Sequence, residues 1–286
     1  EEDGQRLVTI DSLRYTTDNH KPRKNKIKPK RGAFDVGHLN ICANVQATLD
    51  YLAADSLVAT VKANASDVAT GIDLRKISLK VATNKQVAHL KNVVVKQGTT
   101  TLKFAECEVL LPNKKEGRKL SYSTSAIDGH VVLKDISKPF APVLSRFTQP
   151  LQLWVHLKGD DSTMMFRSIQ VNTPDNNLKI KASGTAVNLK LARDLVIRFN
   201  VSEMSARGGS KEKIISQFPV KKMMMKQLHS LGSITYSGRF AILWRKEMFS
   251  GVLGTQVGKV NFQFTIDESN KYIFGTAMSD NIRVDK

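Results

Sequence analysis

Six histidines, two cysteines and the paired carboxylates Asp160-Asp161 are the residues from which this 286-residue chain could assemble a reactive site. The histidines, His20, His38, His89, His130, His156 and His229, stand singly. None belongs to a His-Glu-x-x-His pair, the spacing that sets two imidazoles on one helix face around zinc. No Asp-rich calcium loop, Gly-x-Ser-x-Gly nucleophile turn, phosphate-binding loop or dinucleotide-binding glycine pattern occurs. Cys42 and Cys107 are too few for a metal cluster or a disulfide scaffold. Each sits in an apolar, strand-like run and reads as a small buried hydrophobe, with a disulfide between them left open.

The remaining candidates read as structural. Asp160-Asp161 follows Lys158-Gly159 in a turn-residue cluster, where carboxylates fix backbone geometry. Gly251, Gly254 and Gly258 are separated by apolar strand residues and predict bulges or bends. His156 alternates with apolar neighbours and falls on the wet side of its run. Asn64-Ala65-Ser66 and Asn200-Val201-Ser202 match the glycosylation pattern. No constellation amounts to an active site, so a non-enzymatic protein without metal or cofactor is expected.

The elements that would carry any site are strands. Ile41, Ala43, Val45, Ala47 and Leu49 recur at every second position, as do Leu151, Leu153, Val155 and Leu157. The runs 178–184 and 260–266 alternate in the same way. Successive strand side chains point to opposite faces, so each run has one apolar and one polar face. Parallel sheets covered on both sides read as continuous apolar runs instead, which points here to antiparallel pairing. Short clusters such as Lys158–Asp161, Thr173–Asn177 and Asp267–Asn270 supply the turns of a meander.

Two segments break the period. Ser137-Lys138-Pro139-Phe140 offers an N-cap and early prolines, predicting a short helix near 138–147. Residues 211–231 carry apolar positions at helical spacing, stopped by Gly232 and interrupted by Pro219. The Met223-Met224-Met225 run there reads as packing on a sheet. A helix followed by apolar and Gly-punctuated strands occurs twice, a loose repeat that suggests an elongated array.

The formal charge is +18, from 44 Lys and Arg against 26 Asp and Glu. Seven of the basic residues, Lys21, Arg23, Lys24, Lys26, Lys28, Lys30 and Arg31, crowd one proline-containing run that predicts an exposed loop. It suits phosphates of nucleic acid or anionic lipid headgroups. Aromatics are only 7%, and no stacking, zinc-finger or helix-turn-helix motif accompanies the charge, which makes nucleic acid an unlikely partner. No stretch approaches 18 apolar residues, and no signal pattern opens the chain. Residues 1–32 are expected to form a leading strand and basic linker, and 33–286 a repeated antiparallel β region. The chain reads as a piece of a longer protein, with any anchor outside it.

The segments Asp135–Leu144, Pro150–Gly159 and Ile180–Leu189, with Lys211–Gly232 and Lys30–Asp35, together resemble the AsmA-like superfamily, most closely the TamB-type translocation and assembly module proteins of the Bacteroides group. The likeness runs from about residue 7 to the end, on diffuse strand patterns. It implies a periplasmic protein anchored in the inner membrane, with an antiparallel sheet curled into an apolar groove, the β-taco, that binds or conducts phospholipid acyl chains. It also implies an Omp85-type assembly partner, reached through segments this chain does not contain. The groove-lining residues expected on this reading are Ile41, Val45, Leu151, Leu153, Val155, Leu157, Ile180, Phe262, Phe264 and Ile266. The basic run would meet headgroups. The alternatives are a nucleic-acid-binding protein and a scaffold whose sheet edges pair with partner strands.

Overall fold

The computed structural model describes residues 6–16, 40–67, 71–140, 145–189, 194–209, 231–243, 246–267 and 270–279. The basic run, the 32/33 division and all but the last residue of the helix expected over 211–231 lie outside them. The protein is mainly β, as the period-two runs predict, and every registered strand pair is antiparallel. No helix among the described residues is long and apolar enough to cross a membrane.

The chain divides into two compact units. The first comprises Glu1–Arg118 with Ile127–Pro150. Its strands are β1 (Arg6–Thr16), β2 (Asn40–Leu52), β3 (Ser56–Asp67), β4 (Ile72–Asn84), β5 (Val87–Gln97) and β6 (Thr100–Leu110), each paired with the next in sequence. Within the second unit, Lys119–Ala126 with Leu151–Lys286, lies β7 (Ser121–Thr124). The first unit then adds β8 (Ile127–Val132), paired with β6, and helix α1 (Leu133–Phe140).

One transverse row of the first unit runs Ile10, Val45, Ala63, Ile77, Val95, Leu102 and Gly129, each opposite the next. The opposite face carries lysines, with Lys80 reaching Asp50 at 3.4 Å and Lys91 reaching Glu106 at 3.9 Å. These are exposed pairs that add little stability. The apolar rows hold the unit together. Cys107 sits buried among them, opposite Leu90, and both it and exposed Cys42 are free thiols.

Helix α1 begins four residues before the Ser137 cap that sequence suggested. Ser137 lies inside it, and its hydroxyl donates back to the Lys134 carbonyl at 2.7 Å. The anchor is Asp135. One carboxylate oxygen accepts from the backbone N–H groups of Thr99 (2.7 Å) and Thr100 (2.8 Å) and from both threonine hydroxyls. Gln97 Nε2 donates to the Asp135 carbonyl at 2.6 Å. The β5–β6 turn is thereby tied to the helix.

The second unit continues from β7 with β9 (Pro150–Asp160), β10 (Thr163–Asn172), β11 (Leu178–Val187), β12 (Val196–Ala206), β13 (Ile234–Leu243), β14 (Lys246–Thr255), β15 (Gly258–Asp267) and β16 (Tyr272–Met278). β7 pairs β9, and from β9 onward each strand pairs the next. The turns use the predicted chemistry. Asp160 Oδ1 accepts from the N–H groups of Ser162 and Thr163, both at 2.7 Å, and those bonds hold its carboxyl below the usual carboxylate range. Thr173 is fully buried and its Oγ1 accepts from Leu178 N–H at 3.0 Å, closing the β10–β11 turn. Gly251 does not mark a bulge. It stands in unbroken register opposite Gly238, and the chain reverses after Thr255, which pairs with Gly258.

Candidate functional site

Register assembles in the second unit a row that crosses seven strand pairings. Leu157, Phe166, Gly184, Phe199, Phe240, Phe249, Phe264 and Gly275 stand successively opposite one another from β9 to β16. Directly opposed residues share a face, so five phenyl rings project from one side of the sheet. Phe166 and Phe199 meet at 5.5 Å across the glycine between them. Phe199 stacks on Phe240 at 6.2 Å, and Phe240 on Phe249 at 5.0 Å. Offset ring pairs at such distances add about 0.5–1.5 kcal/mol beyond their buried area.

The next row on this apolar face is Ile169, Ala182, Val201, Gly238, Gly251 and Phe262. Tyr236 lies over its glycine pair, stacks on Phe262 at 5.9 Å and donates its hydroxyl to the Ser250 carbonyl at 3.1 Å. Burial pushes the Tyr236 phenol above its ordinary range, so it stays a neutral donor at physiological pH.

The expected groove residues of this unit, Leu151, Leu153, Val155, Leu157, Ile180, Phe262, Phe264 and Ile266, all fall on the same face. Leu153 and Ile180 share a row through Val171, while Leu157 and Phe264 end the phenylalanine row. Val155 is buried and the others are half-buried. In the first unit Ile41 and Val45 are half-buried positions of β2. Lys21, Arg23, Lys24, Lys26, Lys28, Lys30 and Arg31 lie outside the described residues.

A groove of about 960 Å³ crosses β10–β15. Two rows flank the phenylalanines, one residue to either side. One is Met165, Thr185, Arg198, Ala241 and Met248; the other is Ser183, Asn200, Arg239, Ser250 and Gln263. Both rows line the groove, together with Phe166, Gly184, Phe199, Phe240 and Phe249 of the row between them. Ile197, Ile242 and Val201, which flank the rings on the apolar face, take no part in it. Alternation therefore places the groove on the opposite side of the sheet from the rings. None of the expected groove residues lines it.

This second face is mixed. Arg167, Arg198 and Arg239 supply positive charge, Met165, Met248 and Leu243 supply apolar surface, and no carboxylate lines the groove. His156, on the same face, packs edge-on against Trp154 at 4.5 Å between ring centroids. Among the described residues no group of three or more His, Cys, Asp and Glu side chains is placed to hold a metal ion.

Sequence reasoning passed over Phe166, Phe199, Phe249 and the arginines. Each phenylalanine sits inside an alternating run, a visible signal, but their alignment depends on register. Comparison of the chain with family models, with curated proteins and with solved structures gives no match.

Proposed function

We propose that this chain is a non-enzymatic, lipid-binding segment of an envelope protein of the AsmA/TamB-like kind, holding acyl chains against the apolar face of its antiparallel sheet. The observation that carries the reading is the state of that face. Leu153, Leu157, Ile180, Phe262 and Phe264 align in continuous rows yet remain half-exposed, where a closed sandwich would bury them. An acyl chain in water costs about 0.8 kcal/mol per methylene, or roughly 12 kcal/mol for sixteen carbons. A strip of aligned apolar side chains offsets much of that cost without chemistry. On this reading the protein works in the periplasm, tethered to the inner membrane and supporting outer-membrane biogenesis.

Lipid extraction and native mass spectrometry of the purified chain test it. Co-purifying phospholipid, or stoichiometric rebinding after delipidation, is the expected result. A delipidated chain that takes up neither phospholipid nor detergent sinks the reading.

The scaffold reading has its own observation. β16 is exposed along its length, with Tyr272 at 68% and Ile273 at 74%, and β1 exposes Leu7 at 63%. Among the described strands β1 pairs only β2, and β16 only β15. Such edges accept an added strand. Crosslinks from Ile273 to a partner strand, without lipid binding, would favour scaffolding.

A further inference from the structure

The geometry points to a second binding site, on the arginine face of β10–β15, for an anion that carries a single aliphatic chain. This goes beyond the lipid reading of the apolar face and does not depend on it.

Arg198 on β12 stands opposite Ala241, and Arg239 on β13 stands opposite Asn200. The two arginines are therefore diagonal neighbours on one face, a relation that separates residues by about 7–8 Å. Guanidinium groups on long stems reach a common point from that distance. Their opposed neighbours are Thr185, Ala241, Asn200 and Ser250, all small or neutral. No ion pair among the described residues includes either arginine. Two like charges held close without a counter-charge repel each other, and an anion between them relieves that repulsion.

Guanidinium is the side chain best shaped for phosphate or carboxylate, which it grips with two parallel hydrogen bonds. Arg167 adds a third cation at the β10 end of the groove. Apolar surface adjoins the charge. Met165 and Met248 are the outermost groove-lining members of the Arg198 row and are 37% and 40% exposed, and Leu243 lies two residues beyond Ala241. Methionine is flexible and adapts to a chain of variable shape. A volume of about 960 Å³ is at the upper end for a site that encloses a small amphiphile. Charge at the centre and thioethers at the ends fit one anionic head with one tail, better than a bare ion or a neutral lipid.

Calorimetric titration of the whole chain with dodecyl phosphate, below its micelle concentration, tests this. Saturable binding of one molecule per chain is expected. Arg198→Gln with Arg239→Gln should weaken it about tenfold or more, without lowering the thermal melt, because both side chains are exposed and their mutual repulsion is removed. Met248→Glu, which sets a carboxylate in the groove, should weaken it independently. Inorganic phosphate should bind at least tenfold more weakly, and dodecyltrimethylammonium should not compete. Dodecanoate should share the site and the arginine dependence.

Equal affinity for inorganic phosphate would reduce the site to an anion patch and overturn the proposal. So would displacement by an oligothymidylate at concentrations where inorganic phosphate has no effect, because the surface would then serve a polyanion. If Leu153→Asp abolishes dodecyl phosphate binding while the arginine variants leave it intact, the tail lies on the apolar face. That outcome overturns this proposal and leaves the lipid reading standing. Loss of phospholipid binding with arginine-dependent dodecyl phosphate binding retained would do the reverse.

Discussion

The ring of Phe199 lies over the backbone of Gly184, where a β-carbon would come within 2.3 Å of the phenyl Cδ1. The two residues are directly opposed on β12 and β11. Glycine here is a space requirement, because it lets Phe199 lean across β11 to meet Phe166 on the far side. The row of rings depends on that gap.

Gly184→Ala should therefore destabilise the second unit by about 1–3 kcal/mol, the usual cost of overpacking. The added methyl also meets the Arg198 carbonyl at 2.6 Å, which cannot move without disturbing the ladder. Thermal or urea melts measure the loss. Combined with Phe199→Ala, the same change should cost clearly less than the sum of the single variants. Strict additivity would show that the ring does not occupy this space.

Asp135 gives a pH dependence. Burial pushes its carboxyl up, but hydrogen bonds from Thr99 and Thr100 together outweigh burial and leave it below the ordinary carboxylate range. A carboxyl depressed in the folded state stabilises in full above its unfolded value, near pH 4, and that contribution fades as pH falls through the folded value. Asp135→Asn should cost about 1–3 kcal/mol at pH 6. Urea melts at pH 3 should show the gap to the parent protein narrowing. An unchanged gap at both pH values would refute the assignment.

The two cysteines should react differently. Cys42 is an exposed free thiol. Burial, with the neighbouring Glu108 charge, pushes the Cys107 thiol above its usual value. The thiolate is the reactive form, so native protein near pH 7.5 should take up one alkylating group, at Cys42. Peptide mapping would locate it, and denaturant should expose the second. Fast labelling of Cys107 in the native state would contradict its burial beneath the β5–β6 rows.

Lipid capture should depend on the face of β9. Leu153 projects with the apolar rows and is half-buried, while Gln152 beside it is exposed. Leu153→Asp should reduce phospholipid binding by an order of magnitude or more, and Gln152→Asp should have little effect. Phe264→Asp should behave like Leu153→Asp. Vesicle or detergent binding reads this out, and equal losses from Leu153→Asp and Gln152→Asp would remove the apolar face from the mechanism.

Much of this was legible in the residue order. Alternation at 41–49, 151–157 and 178–184 was enough to predict β2, β9 and β11, their antiparallel pairing and their apolar sides, since side-chain period is a local property of extended backbone. The turn at Asp160 was equally local. The helix starts earlier than the Ser137 cap implies because Asp135, which anchors it, bonds to Thr99 and Thr100, 36 and 35 residues away. Nothing near Ser137 encodes that contact.

What only the tertiary structure decided is register. Phe166, Phe199, Phe240, Phe249 and Phe264 are unremarkable in their own strands. They become one row because each strand is paired to its neighbour at one offset, and a shift of a single residue would send every ring to the other face. The same offsets bring Arg198 beside Arg239 and raise a groove on the face that alternation marks as polar. Periodicity states which side of a strand each residue occupies, but which residues meet across strands is settled by long-range pairing.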